Sequence, residues 1–143
     1  MARESIVNQN FRALRQTGRM TGLQANDELS NARGALKSAP APSTALTTMT
    51  ELAREDPSLR LRYVADRLVL TPESFLAYLQ ARERDAREIL PEAFAVSVAE
   101  DIANEIVPKW LQVTFSAGGA VRHSVTVEDR QPGWDNPSLL RGL

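Results

Sequence analysis

The sequence predicts a mainly α protein with a four- to five-helix core, one C-terminal β-hairpin and extended arms at both ends. Apolar residues recur at helical spacing over most of 43–107, and the period changes from 3.6 to 2 over 110–128. The chain has 143 residues, an ordinary size for one domain. We therefore divide it into an N-terminal helical arm and linker (1–42), a helical core with the hairpin (43–128) and an extended C-terminal docking arm (129–143).

The N-terminal arm carries two weak helical patterns. The first covers 2–17 and has a narrow apolar stripe of Ile6, Val7, Phe11 and Leu14. After the glycines at 18 and 22, the second pattern consists of Leu29, Ala32 and Leu36. Both stripes are too thin to form a core of their own.

Two further helices are predicted after the linker SAPAPSTALTT. Ser43 is a plausible N-cap for the first. Its apolar residues are Leu46, Met49, Leu52 and Ala53. The second follows Asp56-Pro57-Ser58, with apolar residues Leu61, Val64, Ala65 and Leu68.

The two longest helices are predicted next. Thr71-Pro72-Glu73 is a strong helix start, and this helix should run to about Leu90. Its buried residues should be Phe75, Leu76, Leu79, Ala86 and Ile89, and the charged run 82–88 is interpreted as a solvated face. The next helix begins at Pro91 and ends before Pro108. Its row of Phe94, Val98, Ile102 and Ile106 makes it the best core helix.

A β-hairpin is predicted over 110–128, WLQVTFS-AGG-AVRHSVTVE. A two-residue Gly-Gly turn would place the apolar faces of the two strands on opposite sides. A loop of three residues, either 117–119 or 118–120, brings Phe115 and Val125 onto one face. We therefore expect a three-residue loop with a glycine at positive φ.

Composition excludes several classes of site. The sequence has no cysteine, which excludes disulfides, thiolate chemistry and Cys-ligated metals in this chain. It has no GxGxxG or P-loop motif, and no apolar stretch approaches the roughly 18–20 residues of a membrane span. No catalytic residue, metal ligand or cofactor is predicted. The net charge of −1 does not favour nucleic acid as a partner, although it leaves that possible.

Two polar features are interpreted as structural. His123, the single histidine, lies on the apolar face of a predicted strand with no acid or nucleophile placed beside it by a motif. Glu100, Asp101 and Glu105 form an acidic cluster on the helix 91–107, which favours a solvated face because no Glu-x-x-His motif accompanies it. An enzyme with an unrecognised carboxylate site remains a third alternative.

Arg12, Arg15 and Arg19 are the strongest charge feature, since they line one helical stripe beside Phe11 and Leu14. Such a stripe can bind nucleic-acid phosphates or an acidic protein groove, and an ordinary polar face is the alternative. We predict that these arginines bind a partner.

The segment DPSLRLRYVADRLVLTPESFLAYLQARE resembles the helix-turn-helix of AraC-type transcription regulators. Ala65 matches the small residue of the first helix, Thr71-Pro72 opens the second, and Phe75 and Leu79 take core positions. Val69 replaces the usual glycine of the turn. The resemblance implies, as the alternative function, a DNA-binding regulator that uses 58–82.

The C-terminal tail predicts a docking arm, because it combines prolines and glycines with large apolar side chains. Its partner-binding residues should be Trp134, Pro137, Leu139, Leu140 and Leu143. We predict a non-enzymatic structural subunit of a large symmetric assembly, most plausibly a phage connector, head–tail adaptor or tail-type protein. Its partners would be copies of itself in a ring and a different structural protein, without a membrane. The protein would be made in the cytoplasm and found in the virion or assembled particle.

Overall fold

The structure, a computed structural model, describes residues 31–143. The fold is mixed α/β with two antiparallel sheets, so the predicted mainly α class is wrong. Its strands are β1 (Ser38–Pro40), β2 (Met49–Arg54), β3 (Ser58–Val64), β4 (Leu68–Leu70), β5 (Trp110–Ala117) and β6 (His123–Arg130). Its helices are α1 (Pro72–Ala81), α2 (Glu83–Glu88), α3 (Pro91–Ile106) and α4 (Pro137–Arg141), and 31–35 are also helical.

The larger sheet has four strands in the order β2-β3-β5-β6, and β1 pairs with β4 in a separate two-stranded sheet. Leu61 of β3 lies opposite both Leu52 of β2 and Val113 of β5. Phe115 of β5 lies opposite Val125 of β6. Since side chains alternate along a strand, this register puts Leu52, Leu61, Val113, Phe115 and Val125 on one face.

The core lies between that face and the helices. Its sheet side consists of Leu59, Leu61, Tyr63, Leu111, Val113 and Phe115, all buried. Helix α3 packs on β5 and β6 with Phe94, Val98 and Ile102, and α1 adds Phe75, Tyr78 and Leu79 to the same cluster. The rings of Phe94 and Phe115 are 4.8 Å apart between centroids and tilted by 58°. The opposite face of the sheet is mostly polar.

The two helices predicted between 43 and 70 are strands. The apolar residues of β3 alternate with Arg60 and Arg62, and this period of two fits a strand covered on one face. Because residues 58–64 and 68–70 are extended, the helix-turn-helix interpretation of 58–82 is also wrong.

The predicted helix 72–90 is two helices, α1 and α2, which meet at Arg82. Helix α3 has the expected bounds, starting at Pro91 and ending before Pro108. Val107 ends it in the left-handed region, at φ 44°.

The β5–β6 hairpin agrees with the predicted faces and differs in its loop. The last pair of the ladder is Ala117 with His123, so the loop has five residues, 118–122, and not three. Gly119 has the expected positive φ, 147°. Odd loops of three and five residues preserve the same pairing of faces, which is why Phe115 and Val125 share a face in both cases, although they are direct partners only with the five-residue loop.

The C-terminal segment is only partly extended. Asp129 and Arg130 belong to β6, and α4 forms after Asn136, whose side chain accepts a hydrogen bond from the Leu139 N–H. No helix within residues 31–143 is long and apolar enough to cross a membrane.

Candidate functional site

Helix α3 lies along strand β6, and polar groups lie at both ends of the contact between them. At one end His123 Nε2 is 2.9 Å from Glu92 Oε2. This hydrogen bond lowers the pKa of the Glu92 carboxyl. At the other end is a cavity of about 670 Å³, here called the α3–β6 cavity. It is lined by Arg33, Val96, Ala99, Glu100, Asp101, Ala103, Asn104, Val127, Glu128 and Asp129.

Asp101 is the most enclosed carboxylate of the α3–β6 cavity, with its side chain 10% exposed. Its Oδ1 is 3.2 Å from Arg33 Nε. Its Oδ2 accepts a hydrogen bond of 2.6 Å from the Tyr78 hydroxyl and lies 3.4 Å from Arg82 Nη1. Two guanidinium groups and a phenol therefore hold this carboxylate, which fixes its orientation at the wall of the cavity.

Arg82 lies behind Asp101 and is only 2% exposed. Its Nη1 donates to Ser97 Oγ at 2.8 Å, its Nε donates to Asp85 Oδ2 at 3.1 Å, and its guanidinium carbon is 5.0 Å from the Phe94 ring centroid. A buried charge is stable only when it is paired and hydrogen-bonded, and these contacts meet that requirement. The expectation that 82–88 is a solvated face is therefore wrong for Arg82.

Tyr78 connects these groups as a neutral phenol. It accepts a hydrogen bond from Arg82 Nη1 at 3.0 Å and donates its own proton to Asp101. Burial is the main reason that the pKa of Tyr78 is raised far above that of free tyrosine, and the Asp101 carboxylate raises it further. The hydroxyl consequently stays protonated and acts as a donor.

The remaining polar groups of the cavity are more accessible. Trp110 Nε1 and the Arg130 guanidinium both donate to Glu128 Oε2. Within residues 31–143, the side chains of Glu100, Asn104 and Asp129 have no hydrogen-bond partner, and all three are exposed. The other lining residues are apolar: Val96, Ala99, Ala103 and Val127. An apolar wall beside carboxylates suits a flat molecule with N–H donors on its edge.

The structure places the sequence-predicted site residues away from this cavity or outside the described residues. Arg12, Arg15 and Arg19 lie outside 31–143. In the tail, Trp134, Leu139 and Leu140 are half-buried, Pro137 begins α4, and Leu143 is 45% exposed. None of these tail residues lines the cavity, and their role in partner binding stays a prediction.

The acidic cluster identified from the sequence is split by the fold. Glu100 and Asp101 line the cavity, whereas Glu105 does not. Within 31–143, no group of three or more His, Cys, Asp or Glu side chains is placed to hold a metal ion.

Sequence reasoning missed Arg33, Arg82 and Asp129 as members of the site. The spacing of Arg82 in the sequence indicates its position, because it follows Leu79, Tyr78 and Phe75 by three, four and seven residues. Arg82 is therefore in line with the buried stripe of α1. A charge in line with such a stripe indicates a buried cation. Arg33 and Asp129 left no local signal, since only the topology brings them to α3.

Comparison with known proteins gives two curated relatives, both described as NADPH-dependent 7-cyano-7-deazaguanine reductases. The protein of Nitrosococcus oceani is 30% identical over 87 residues, which cover 59% of this chain and 65% of the relative. The protein of Syntrophus aciditrophicus is 28% identical over 81 residues, which cover 55% of this chain and 56% of the relative. The chain thus spans less than two thirds of the length of either relative. No protein-family profile matches the sequence.

Among solved structures, the chain is similar to the apo form of the archaeosine synthase QueF-Like. The TM-score is 0.39 and the sequence identity 22%, over 66% of this chain and 92% of that one.

These comparisons correct the functional expectation. Both curated relatives are enzymes, and neither is a component of a virus particle. The interpretation as a non-enzymatic phage connector, adaptor or tail-type subunit is therefore wrong.

Proposed function

We propose that this chain is an enzyme that acts on a 7-deazaguanine-type base, with 7-cyano-7-deazaguanine as the first candidate substrate. The observation that carries the proposal is the 87-residue similarity to a reductase of that compound. The α3–β6 cavity supports it, because a volume of about 670 Å³ is ample for a bicyclic heterocycle.

The chemistry of the cavity suits the pyrimidine edge of a guanine-type base. That edge carries a ring N–H and an exocyclic amino group side by side, and a carboxylate accepts hydrogen bonds from both. Glu100 and Asp129 are the candidates for this contact, since neither has a partner within 31–143. Val96, Ala99 and Val127 offer an apolar surface for the rings.

NADPH does not fit the α3–β6 cavity. Its phosphates are anionic and require Arg, Lys or backbone N–H donors. The cavity wall contains four carboxylates and one arginine, Arg33, which is already paired with Asp101. We therefore assign the base, and not the dinucleotide, to this cavity. Because the chain lacks cysteine, its own side chains offer no thiolate at this site.

Calorimetric titration of the protein with 7-cyano-7-deazaguanine tests the proposal. We expect saturable binding, and Glu100→Gln or Asp129→Asn should weaken it about tenfold or more, as expected when a hydrogen bond to a charged group is lost. Glu105→Gln is the matched control on α3, since Glu105 lies outside the cavity. Incubation of the base with NADPH, followed by absorbance of the cofactor and mass spectrometry of the base, tests the reduction directly. Absence of binding and of any change in the base would refute the proposal.

We also propose that the chain forms a homo-oligomer. Within residues 31–143, β2 and β6 each have one strand edge without a partner strand. Free edges of this kind pair readily with another chain. Native mass spectrometry should detect a closed oligomer, and a monomer at micromolar concentration would refute this proposal.

A further inference from the structure

The carboxylates that line the α3–β6 cavity differ in how far arginine side chains neutralise them. Those of Asp101 and Glu128 are each paired with at least one arginine. Those of Glu100 and Asp129 form no ion pair with any side chain between 31 and 143. Within the described part of the chain, the charge that a ligand in the cavity meets is therefore mainly that of Glu100 and Asp129.

These two carboxylates belong to different walls of the cavity. Glu100 lies one turn after Val96, on the face of α3 that lines the cavity. Asp129 lies opposite the buried Leu111 in the register of β5 and β6, so its side chain is on the side of the sheet that α3 covers. Val96 and Val127 add apolar surface to the two walls. A flat ligand between the walls can contact one carboxylate from each.

The shape of a 7-deazaguanine fits this division. Its ring N–H and amino group lie on the six-membered ring and occupy one carboxylate. Its substituent at position 7 lies on the five-membered ring and extends toward the other. A nitrile nitrogen and a carboxylate are both hydrogen-bond acceptors, so they repel each other there. An aminomethyl group, protonated at neutral pH as the lysine amine is, brings three N–H donors and a positive charge.

We propose that the α3–β6 cavity selects the protonated amine, 7-aminomethyl-7-deazaguanine, over the 7-cyano compound. This preference rests on the proposed function, because the two compounds are the ends of a complete nitrile reduction. That reduction breaks both π bonds of the nitrile, adds two hydrides from two molecules of NADPH to the carbon and three protons to the nitrogen, and leaves two NADP⁺. A neutral group thus becomes a cation beside a carboxylate.

Selection of the amine makes the product an inhibitor of its own formation. A product that binds more tightly than the substrate leaves the cavity slowly, so its release limits turnover. In initial-rate measurements, the added amine should compete with the 7-cyano compound and should inhibit at a concentration at least tenfold below the KM of that compound. Inhibition only at concentrations above the KM would contradict the preference.

Calorimetric titration of the full chain with three ligands tests the preference without any turnover. The ligands are the 7-aminomethyl, 7-cyano and 7-ethyl derivatives of 7-deazaguanine. The ethyl group matches the aminomethyl group in shape but carries no charge, so it separates charge from size. We expect the amine to bind at least tenfold more tightly than either neutral compound.

Variants then show whether the two carboxylates cause the preference. Of Glu100→Gln and Asp129→Asn, one should weaken all three ligands, since it removes the contact to the ring edge. The other should weaken the amine alone, since it removes the contact to the ammonium. The double variant should bind the amine no more tightly than the ethyl compound. Glu105→Gln is the control on α3 and should leave the ratio of affinities unchanged, because Glu105 does not line the cavity.

The outcomes separate this inference from the function on which it rests. If the 7-cyano compound binds as tightly as the amine or more tightly, the preference is wrong and the proposed function stands. If the amine is still preferred in the double variant, Glu100 and Asp129 are not its cause and the inference is overturned. If none of the three compounds binds, the proposed function fails and the preference fails with it.

Discussion

The Tyr78 hydroxyl donates a hydrogen bond of 2.6 Å to Asp101 and thereby joins α1 to α3 at the back of the α3–β6 cavity. Arg82 completes the bridge from the end of α1, because it reaches both Tyr78 and Asp101. A polar bridge inside an apolar layer has one satisfied geometry, so it fixes how the two helices sit on the sheet. The position of the cavity wall therefore depends on Tyr78 and Arg82, which do not line the cavity themselves.

Replacing Arg82 should be strongly destabilising. Arg82→Met keeps much of the volume but removes one of the two cations paired with Asp101 and leaves the Tyr78 and Ser97 oxygens without the Arg82 donor. We expect a loss of about 3–5 kcal/mol in the free energy of unfolding, the range for breaking a buried ion pair. Urea unfolding measures it. Arg84→Met is the control, since Arg84 and Glu88 are 47% and 50% exposed, and it should cost less than about 1 kcal/mol. Equal effects would show that the Arg82 network adds no stability.

Tyr78 should make the protein sensitive to alkaline pH. Its pKa is raised on folding by burial, so the folded state favours the neutral phenol. That contribution is complete below the ordinary tyrosine pKa of about 10 and is lost as pH rises above it, by up to about 1.4 kcal/mol per pH unit. Urea unfolding between pH 8 and pH 11 should therefore show a steeper loss for the native chain than for Tyr78→Phe. Tyr63 is present in both proteins, so it does not contribute to the difference between their stability curves. Parallel curves would contradict the burial of the Tyr78 hydroxyl.

Local patterns predicted the second half of the fold better than the first. The hairpin and α3 each have one clear period, and their bounds follow from glycine and proline. In 58–68 two periods overlap. Leu61, Val64 and Leu68 fit a helix, whereas Leu59, Leu61 and Tyr63 fit a strand. The strand forms because β2 and β5 are available on both sides of it, and such long-range pairing is not visible in a local window.

For the same reason, the sequence pattern identifies only part of the cavity lining. Glu100 and Asp101 are adjacent on one helix, so the sequence alone identifies them as an acidic cluster. Asp129 and Arg33 reach them through the order of the strands and the path of the N-terminal segment. Without that topology, no spacing rule relates position 33 to position 129.

Truncating Phe115 should unfold the core. The ring is fully buried and packs against Phe94. Phe115→Ala should cost about 3–5 kcal/mol, through lost burial and the cavity that remains. Thr114→Ala, on the other face of the same strand, removes a hydroxyl that is 3.2 Å from Thr126 Oγ1 and should cost less than about 1 kcal/mol. Thermal and urea unfolding of both variants would decide whether the Phe115 face of β5 packs in the core while the Thr114 face does not.

The C-terminal tail should be dispensable for folding beyond Gln131. The Gln131 side chain donates hydrogen bonds to the Asp66 carboxylate and to the Val107 carbonyl. Its backbone N–H donates to the Lys109 carbonyl. We expect a chain that ends at Gln131 to unfold within about 1 kcal/mol of the full chain, since Trp134, Leu139 and Leu140 are only half-buried. Removing Gln131 as well should destabilise the fold further. If Trp134 and the leucines bind another chain, the first truncation should also shift the oligomer to smaller species in light scattering.

Trp110 should report the ionisation of Glu128. Its indole N–H donates to Glu128 Oε2 at 2.6 Å, and this bond, with help from Arg130, lowers the pKa of the Glu128 carboxyl. A lowered pKa means that the interaction is present above the ordinary glutamate value of about 4.3 and is lost as pH falls through the lower, folded-state value. In a Trp134→Phe background, Trp110 is the remaining tryptophan. Its fluorescence should then change with a midpoint below pH 4.3 while circular dichroism still shows folded protein. Glu128→Gln should abolish that change. A midpoint at or above 4.3, or an unchanged titration in Glu128→Gln, would show that the indole does not stabilise this carboxylate.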